Sequence, residues 1–266
     1  MKDGKAPEKW TLRPIAGAIG VEVREVSLSR CLSESEVDGL RRLVAESGVV
    51  FLTGQQFDSD GHLTLARQLG TVKPPPEYLP KVNGYPDISV LSTENGFAMM
   101  ADRWHADVTW AEAPPKYSIL HMQEVPSVGG DTMWASQTAA YDRLSDRMKV
   151  LLTGLTAVHE ISIGPRRSVH PVITRHPVTG RKALFVNPTF TTGIEELPPS
   201  ESEAVLRFLF EHCVQPEVCC RWRWTAGDIA IWDNQFVQHY AINDYTEARK
   251  IHRVEIEGER PVPAEP

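Results

Sequence analysis

The chain has 266 residues, 41% of them hydrophobic, which is enough to bury a substantial core in one large domain. Its formal charge of -7 argues against a general basic field of the kind that holds nucleic acid or an acidic membrane. No stretch reaches the length of a transmembrane helix and no apolar signal core opens the chain, so we expect a cytoplasmic protein that binds neither membrane nor nucleic acid. We predict a single domain over 1–266, with loose termini at 1–11 and 259–266.

Four segments carry helix signals. Ser33 and Glu36 form a capping box ahead of an apolar periodic run that stops at Gly48. The other predicted helices run from about Ser59 to Leu69, over 136–153 with a restart at Ser145, and onward from Ser200 as an N-cap.

Most of the remaining chain consists of short runs rich in β-branched and aromatic residues, separated by Pro, Gly and Asp. Many strands with only peripheral helices favour a mostly β fold, an antiparallel barrel or jelly roll, over a βαβ sheet. The absence of a GxGxxG or P-loop motif argues against a nucleotide-binding cradle. The predicted strands cover 49–52, 88–91, 117–125, 155–161, 183–187, 219–224, 228–232 and 250–257.

The four cysteines, Cys31, Cys213, Cys219 and Cys220, match no zinc or redox spacing. We expect them to be reduced and structural, as is usual inside cells. The adjacent pair at 219 and 220 lies on a predicted strand and should point to opposite faces.

A His-x-Asp pair stands at His105 and Asp107, and His239 offers a third donor far downstream. On a strand, residues two apart share a face, so the pair can reach one metal ion. Two imidazoles and one carboxylate leave three coordination positions open, which is the arrangement of Fe(II) oxygenases that bind a cosubstrate and dioxygen together. A zinc hydrolase would use similar ligands with one open position, and a non-catalytic metal-binding jelly roll is a further alternative.

Two arginines follow His239. On the predicted strand, Arg249, Ile251 and Arg253 face one way, and the residues between them face the other way. A buried arginine must be paired, and no acidic residue shares that face before Glu255. We therefore expect anionic ligands as partners, since the planar fork of arginine suits a carboxylate or a sulfonate.

Taken together and in order, the motifs closely resemble the taurine dioxygenase (TauD/TfdA) family of Fe(II)- and 2-oxoglutarate-dependent dioxygenases, over about residues 12–258. Any one of them alone would be unspecific. The motifs are Trp104-His105-Ala106-Asp107, Gly129-Gly130-Asp131-Thr132, Trp222-x-Trp224, the run from Gly227 to Asn234, and Gln238-His239-Tyr240.

The resemblance implies a double-stranded β-helix (jelly-roll, cupin-like) core with iron held by His105, Asp107 and His239. It also implies that Arg249 grips the distal carboxylate of 2-oxoglutarate and that Thr132 contacts the same cosubstrate. The reaction implied uses O2 to hydroxylate an unactivated C–H bond of a small or medium organic acid (a sulfonate, sulfate ester or carboxylate) and releases succinate and CO2. Relatives often form dimers or tetramers, so a homo-oligomer is expected.

For the substrate, the resemblance assigns Arg253 to an anionic group, and Tyr78 matches an active-site tyrosine of the family. Pro75 stands where sulfonate- and sulfate-processing relatives carry a His, and Ala101 stands where an amide is usual. These departures argue against taurine and favour a bulkier or more apolar substrate, which the methionines at 99–100 would also suit. The alternative is a biosynthetic tailoring oxygenase that acts on a larger, weakly charged natural product.

The stretch between His159 and His170 is much shorter than the family's usual insertion, which often forms a lid over the substrate. A short lid predicts either an open, larger pocket or a site completed by a neighbouring subunit. Arg166 and Arg167 would then meet an acidic substrate at the rim, unless they belong to a plain solvated turn.

Overall fold

The computed structural model describes residue 7 and residues 9–56, 58–96, 101–161 and 166–265. The helices are α1 (Glu34–Ser47), α2 (Ser59–Leu69), α3 (Gln137–Asp142), α4 (Asp146–Leu152) and α5 (Pro199–His212). The strands are β1 (Thr11–Pro14), β2 (Val21–Arg24), β3 (Val49–Leu52), β4 (Val72–Lys73), β5 (Lys81–Val82), β6 (Tyr85–Ser92), β7 (Tyr117–Glu124), β8 (Thr132–Ser136), β9 (Thr156–Ile161), β10 (Arg166–Pro171), β11 (Ile173–Arg175), β12 (Lys182–Leu184), β13 (Thr191–Ile194), β14 (Cys219–Trp222), β15 (Ile229–Asp233), β16 (Val237–Ala241) and β17 (Lys250–Ile256).

The largest sheet runs in the order β1-β2-β3-β15-β7-β17-β6-β5, with β4 added beside β17. Its central strand β3 is buried on both faces, because alternate residues point to opposite sides. Val50 and Leu52 pack into a core shared with α1 and α2, whereas Val49 and Phe51 pack into a second core. Burial on both faces explains why this strand is an uninterrupted apolar run in the sequence.

A smaller sheet, in the order β14-β8-β16, covers the second face of the large sheet. The core between the two sheets is rich in tryptophan: Trp134 of β8 is fully buried, and Trp222 of β14 stacks on Phe51 with ring centroids 4.2 Å apart. Two sheets packed face to face around one core, with helices only at the periphery, form the predicted mostly β jelly roll. The prediction of fold class is confirmed.

A third apolar cluster lies outside this sandwich and joins α3, α4 and α5 to the β9–β13 region. The β9–β10 hairpin and β13 form one three-stranded sheet, and β11 pairs with β12. This layer matters for the site because it packs beneath the segment that carries His105 and Asp107.

The helix predictions are confirmed except at one cap. Ser33 and Glu36 form the capping box of α1, and Ser145 caps α4, which restarts after α3. The prediction of Ser200 as an N-cap is wrong, because α5 already begins at Pro199. Proline suits the first turn of a helix, where no amide partner is required, so a serine cap is unnecessary.

One predicted strand needs correction, and two strands that carry site residues were missed. The predicted strand 183–187 ends at Leu184, because the side chain of Asn187 accepts hydrogen bonds from the amides of Thr189 and Phe190 and turns the chain. Strands β8 and β16 were not predicted, although they carry Thr132 and His239.

The C-terminal segment differs from the loose tail expected over 259–266. The amide of Arg175 donates to the carbonyl of Val262, and the amide of Ala264 donates to the carbonyl of Ile173. These bonds hold the segment against β11. At the other end, Thr11 already belongs to β1.

All four cysteines are free thiols, and three of them are buried. Cys219 and Cys220 pack into different clusters, as expected for neighbours on a strand. Within the described part of the chain, no helix combines the length and the apolar character needed to cross a membrane.

Candidate metal centre

The three predicted metal donors converge at one end of the jelly roll. The Oδ1 atom of Asp107 lies 3.7 Å from Nε2 of His105 and 3.9 Å from Nε2 of His239. One donor atom from each residue falls within 4.8 Å of the others, so the cluster could hold one metal ion. No other such cluster of three donors occurs among the described residues.

The backbone brings the two histidines together through an isolated bridge. The amide of His105 donates to the carbonyl of His239 over 3.1 Å, and the amide of His239 donates back over 2.8 Å. The bridge sets the imidazole rings side by side, with centroids 4.1 Å apart. His239 on β16 and His105, far upstream in the chain, are therefore neighbours in space.

The prediction that His105 and Asp107 share a strand is wrong in detail. His105 makes only the bridge, and the chain turns at Asp107. The next residue, Val108, has φ of 58°, a left-handed conformation that a β-branched residue rarely adopts. Such strain costs about 1–3 kcal/mol and persists only where surrounding contacts impose it, which is typical of functional sites.

Asn234 imposes this turn from the β15–β16 connection. Its Oδ1 accepts from the amide of Asp107 over 2.7 Å, and its Nδ2 donates to the carbonyl of Asp107 over 2.9 Å. Because both bonds go to the backbone, the Asp107 side chain stays available. One of its oxygens, Oδ2, accepts from Ser118 Oγ at 3.0 Å, which leaves Oδ1 directed at the histidines.

A second support lies beneath the turn, in the β9–β10 layer. His159 Nδ1 is 3.0 Å from Thr109 Oγ1, and Asn187 donates to the same hydroxyl at 3.2 Å. His170 Nε2 lies 2.9 Å from the carbonyl oxygen of Thr109. In the sequence these histidines were only the borders of a shortened stretch, and no local signal indicates that they support the metal segment.

The protonation states suit metal binding, which requires neutral imidazole and ionised carboxylate. Nδ1 of His105 lies 2.7 Å from the carbonyl oxygen of Arg103, so this nitrogen carries the proton and Nε2 presents its lone pair. Burial lowers the pKa of His239 to about 3. Burial alone would raise the pKa of Asp107, but the positive charge of Arg253 and the hydrogen bond from Ser118 hold that pKa well below its usual range.

Arg249 and Thr132 meet beside the metal cluster. Arg249 is 3% exposed, its Nε donates to the carbonyl of Gly130 at 3.0 Å, and its Nη2 donates to Thr132 Oγ1 at 3.3 Å. Gly130 has φ of 72°, and a Cβ there would lie 3.2 Å from Arg249 Cδ, so the Gly-Gly motif allows this close approach. Among the described residues the guanidinium makes no ion pair, which leaves its charge for an anionic ligand.

Trp224 is a site residue to which the sequence analysis assigned no role. Its indole Nε1 donates to Thr132 Oγ1 over 2.9 Å, and the tryptophan is buried. The Trp-x-Trp motif marks both Trp222 and Trp224, and the motif alone does not indicate which of the two faces the site.

Arg253 also faces the cluster, as predicted, and lines the same cavity as Arg249 and Ile251. The expectation that only a ligand would pair with it is wrong. Its Nη1 donates to Asp107 Oδ1 over 3.0 Å, and its Nη2 lies 3.9 Å from Glu255 Oε1. Asp107 belongs to a segment that is distant in the sequence, so the residues of the strand alone do not reveal this ion pair.

Two connected cavities adjoin the cluster. The outer one, of about 180 Å³, contains Tyr78 and Ala101 in its wall, together with Trp110, Phe190 and other largely apolar residues. The inner one, of about 50 Å³, has both metal-donor histidines in its wall, together with Thr132 and Arg249. A larger groove of about 660 Å³ lies between β13 and α5, but it contains no metal-donor cluster, so the chemistry belongs to the smaller cavities.

The shortened stretch is described except for residues 162–165. On either side of that gap β9 and β10 pair antiparallel, and Ile161 at the end of β9 lines the outer cavity. The guanidinium of Arg166 lies over the Trp110 ring, 4.9 Å from its centroid, whereas Arg167 forms an ion pair with Glu195 at 2.7 Å. Arg166 is thus the hairpin arginine next to the cavity wall. The methionines at 99–100 lie outside the described residues.

Comparison with known proteins decides the family. Residues 11–254 match the model of the taurine catabolism dioxygenase TauD, TfdA family. The chain belongs to the TauD/TfdA family. It is an oxidoreductase that depends on Fe(II), 2-oxoglutarate and O2, and this assignment excludes the zinc hydrolase and the non-catalytic jelly roll considered from the sequence. The His–Asp–His cluster and the uncompensated charge of Arg249 fit this cofactor and cosubstrate.

Three of the most similar proteins agree with this assignment. An alpha-ketoglutarate-dependent sulfate ester dioxygenase of Pseudomonas putida is 36% identical, over 94% of this chain and 90% of its own. An alkylsulfatase of Acinetobacter baylyi is 34% identical, over 95% and 86%. The crystal structure of a taurine dioxygenase from Burkholderia xenovorans superposes with a TM-score of 0.89 at 33% identity, over 96% of this chain and 91% of that one.

Proposed function

We propose that this TauD/TfdA dioxygenase hydroxylates an unactivated C–H bond of a small or medium organic acid whose anionic group is bound by Arg253. The observation that carries the proposal is the position of that arginine, in the wall of both cavities and beside the metal donor Asp107. Among sulfonates, sulfate esters and carboxylates, the relatives from Pseudomonas and Acinetobacter favour a sulfate ester.

In this proposal His105, Asp107 and His239 hold the iron. Fe(II) with 2-oxoglutarate supplies, when bound, the oxidising chemistry that uses O2 to attack an unactivated C–H bond and leaves succinate and CO2. The protein's own contribution is to keep His239 neutral through burial and to hold the carboxylate of Asp107 ionised. It also orients His105 through the carbonyl of Arg103, and Asp107 through Ser118 and Asn234.

Arg249 and Thr132 are proposed to bind the distal carboxylate of 2-oxoglutarate. The Thr132 hydroxyl already accepts bonds from Trp224 and Arg249, so its own proton is available for a third oxygen. The buried guanidinium supplies the opposite charge in a site of low polarity, where such a pair is stronger than in water.

The substrate is proposed to occupy the outer cavity, with its acidic group at Arg253 and its carbon chain along the apolar wall. Nε of Arg253 is buried and has no hydrogen-bond partner among the described residues, so it can donate to an oxyanion. Tyr78, which is 52% exposed, stands at the mouth, and Ala101 leaves space where an amide would narrow the cavity. An apolar wall excludes water and favours an alkyl or aryl substituent.

We further propose that the whole chain acts as one catalytic domain in the cytoplasm and binds neither membrane nor nucleic acid. We also propose that it assembles as a dimer or tetramer. The family match over 11–254 supports the single domain, and the net charge of -7 supports the lack of nucleic-acid binding.

A substrate panel tests the proposed function. Purified protein with Fe(II), 2-oxoglutarate and O2 is given alkyl sulfates, alkyl sulfonates and aryloxyacids, each beside the uncharged alcohol of the same carbon skeleton, and succinate formation is measured. We expect succinate above the substrate-free rate with at least one class of anion and not with its alcohol. A clear preference for the uncharged compounds would contradict the proposal and favour a tailoring oxygenase.

Arg253→Ala separates the substrate from the cosubstrate. We expect the KM of the best anion to rise by about 10- to 100-fold, because the variant loses the charged partner of its acidic group. The affinity for 2-oxoglutarate, measured anaerobically by calorimetry, should stay within about twofold. If instead 2-oxoglutarate binding is lost, the proposed division of labour between Arg249 and Arg253 is wrong.

A further inference from the structure

Arg253 lies between two buried carboxylates. Asp107 accepts a hydrogen bond from Nη1 at 3.0 Å, whereas the nearest oxygen of Glu255 is 3.9 Å from Nη2. The second distance is too long for a hydrogen bond but short for two opposite charges. Glu255 therefore acts on Arg253 through its charge, from two residues further along the same face of β17.

Glu255 has an unusual environment for a carboxylate. It is 3% exposed, and neither of its oxygens accepts a hydrogen bond from any described residue. A buried ionised carboxylate is costly unless an opposite charge compensates it. Besides Arg253, the nearby cation is Lys73, which stands opposite Glu255 in the register of β4 and β17.

The two carboxylates differ in what else they must do. Asp107 belongs to the metal cluster, so its charge is shared with an ion whenever one is bound. Glu255 lies outside that cluster, so its charge stays available to the guanidinium 3.9 Å away. Arg253, whose Nε also lacks a partner among the described residues, is thus partly compensated and still able to accept a further anion.

We propose that Glu255 is the internal counter-ion of Arg253, which stabilises the arginine in the substrate-free protein and competes with the substrate's acidic group for it. The inference rests on the proposed function, in which Arg253 receives that group. Glu255 is then a specificity-determining residue. It weakens the attraction for negative charge as such and makes binding depend more strongly on the apolar part of the substrate.

Glu255→Gln tests this role, because glutamine keeps the shape and removes the charge. Glu257→Gln, at an exposed carboxylate two residues later, is the matched control. Binding of hexane-1-sulfonate and of hexan-1-ol is measured by calorimetry on the anaerobic Fe(II)–2-oxoglutarate protein, and Tm is measured without either ligand. For Glu255→Gln we expect a lower Tm, a Kd for the sulfonate lower by on the order of tenfold, and an unchanged Kd for the alcohol.

The combination of a lower Tm with tighter sulfonate binding is diagnostic, because a merely structural role of Glu255 would lower Tm and weaken binding together. The gain in sulfonate affinity should also vanish when Glu255→Gln is combined with Arg253→Gln, since the competition needs the arginine. If the glutamine variant does not fold, Glu255→Ser, neutral and smaller, carries the same expectation.

Equal or weaker sulfonate binding by the neutral variants overturns the inference, as does a failure of both wild type and variants to bind the sulfonate. The proposed function fails separately, when wild-type protein forms no succinate with any anion of the panel. A wild type that converts an anion while Glu255→Gln shows no gain would remove only the counter-ion role.

Discussion

Thr132 Oγ1 accepts hydrogen bonds from two buried donors, the indole of Trp224 and the guanidinium of Arg249. A hydroxyl has two acceptor positions and one proton, so both acceptor positions are used and the proton must find another oxygen. The three residues therefore form one unit, which explains why a threonine, a tryptophan and an arginine far apart in the sequence belong to the same pocket.

Arg249→Lys should remove most of the affinity for 2-oxoglutarate while retaining the positive charge. An ammonium group cannot donate to Gly130 and Thr132 and also present a planar pair of N–H groups to a carboxylate. We expect Kd for 2-oxoglutarate to rise by about 10- to 100-fold. Calorimetry on the anaerobic iron protein measures it.

The matched control is Arg181→Lys, at an exposed arginine paired with Asp142, which should leave this affinity unchanged. A Kd for Arg249→Lys within twofold of wild type would show that charge alone suffices and would contradict a role for the forked geometry.

At the scale of elements, the metal donors depend on a turn that two separate parts of the fold hold in place. Asn234 binds the backbone of Asp107 from the β15–β16 connection, and the histidines of the β9–β10 layer bind Thr109 from below. The positive φ of Val108 is the local cost of this arrangement. Packing of rigid elements around the turn keeps it preorganised before an ion binds.

Asn234→Ala should weaken iron binding, because the backbone of Asp107 loses both hydrogen bonds that the Asn234 side chain makes with it. Groups that orient metal ligands typically contribute 10- to 100-fold to metal affinity, and we expect a loss of about that size. Gln235→Ala is the control, since this neighbouring amide bonds Pro114 and Glu259 rather than the metal segment. Competition with a chromogenic chelator measures both, and equal losses in the two variants would contradict the positioning role.

Ser33→Ala should lower the free energy of unfolding by about 1 kcal/mol, the usual contribution of a serine N-cap. The side chain of Ser33 accepts from the Glu36 amide in the capping box of α1. Ser200→Ala should be close to neutral, because Ser200 caps no helix. Urea denaturation of the two variants gives the comparison, and a larger effect at Ser200 would reverse this account of the helix ends.

At the scale of the whole molecule, burial keeps several histidines neutral. It lowers the pKa of His62 and of His159 to about 3, and that of His121 to about 4. In the unfolded chain these groups titrate near 6.5. Between 6.5 and the folded values the unfolded state binds more protons, so acidification through this window destabilises the fold.

The metal-free protein should therefore lose stability steadily as the pH falls from about 6.5 towards 4. Each fully buried histidine contributes on the order of 1 kcal/mol per pH unit inside the window. Urea denaturation at a series of pH values measures the slope, and His62→Gln should reduce it. A free energy of unfolding that stays constant between pH 6.5 and 4.5 would contradict this.

Much of the site was predictable because its chemistry depends on residue type and order. The donor set of His105, Asp107 and His239 suits iron. Arg249 and Arg253 are four residues apart in the sequence, a spacing that places both on the same face of an extended segment. Strands β3 and β15 were predictable for a related reason, since burial on both faces leaves a short, largely apolar run.

The sequence by itself thus determined the family, the jelly-roll fold, the metal donors and the face on which the arginines stand, because each is encoded in local pattern or motif. Only the tertiary structure decided how those residues are held and paired. Three contacts join distant segments: the bridge between His105 and His239, the support of Asp107 by Asn234, and the ion pair of Arg253 with Asp107. Such contacts arise from the packing of whole elements against one another, and packing leaves no periodic trace in the chain.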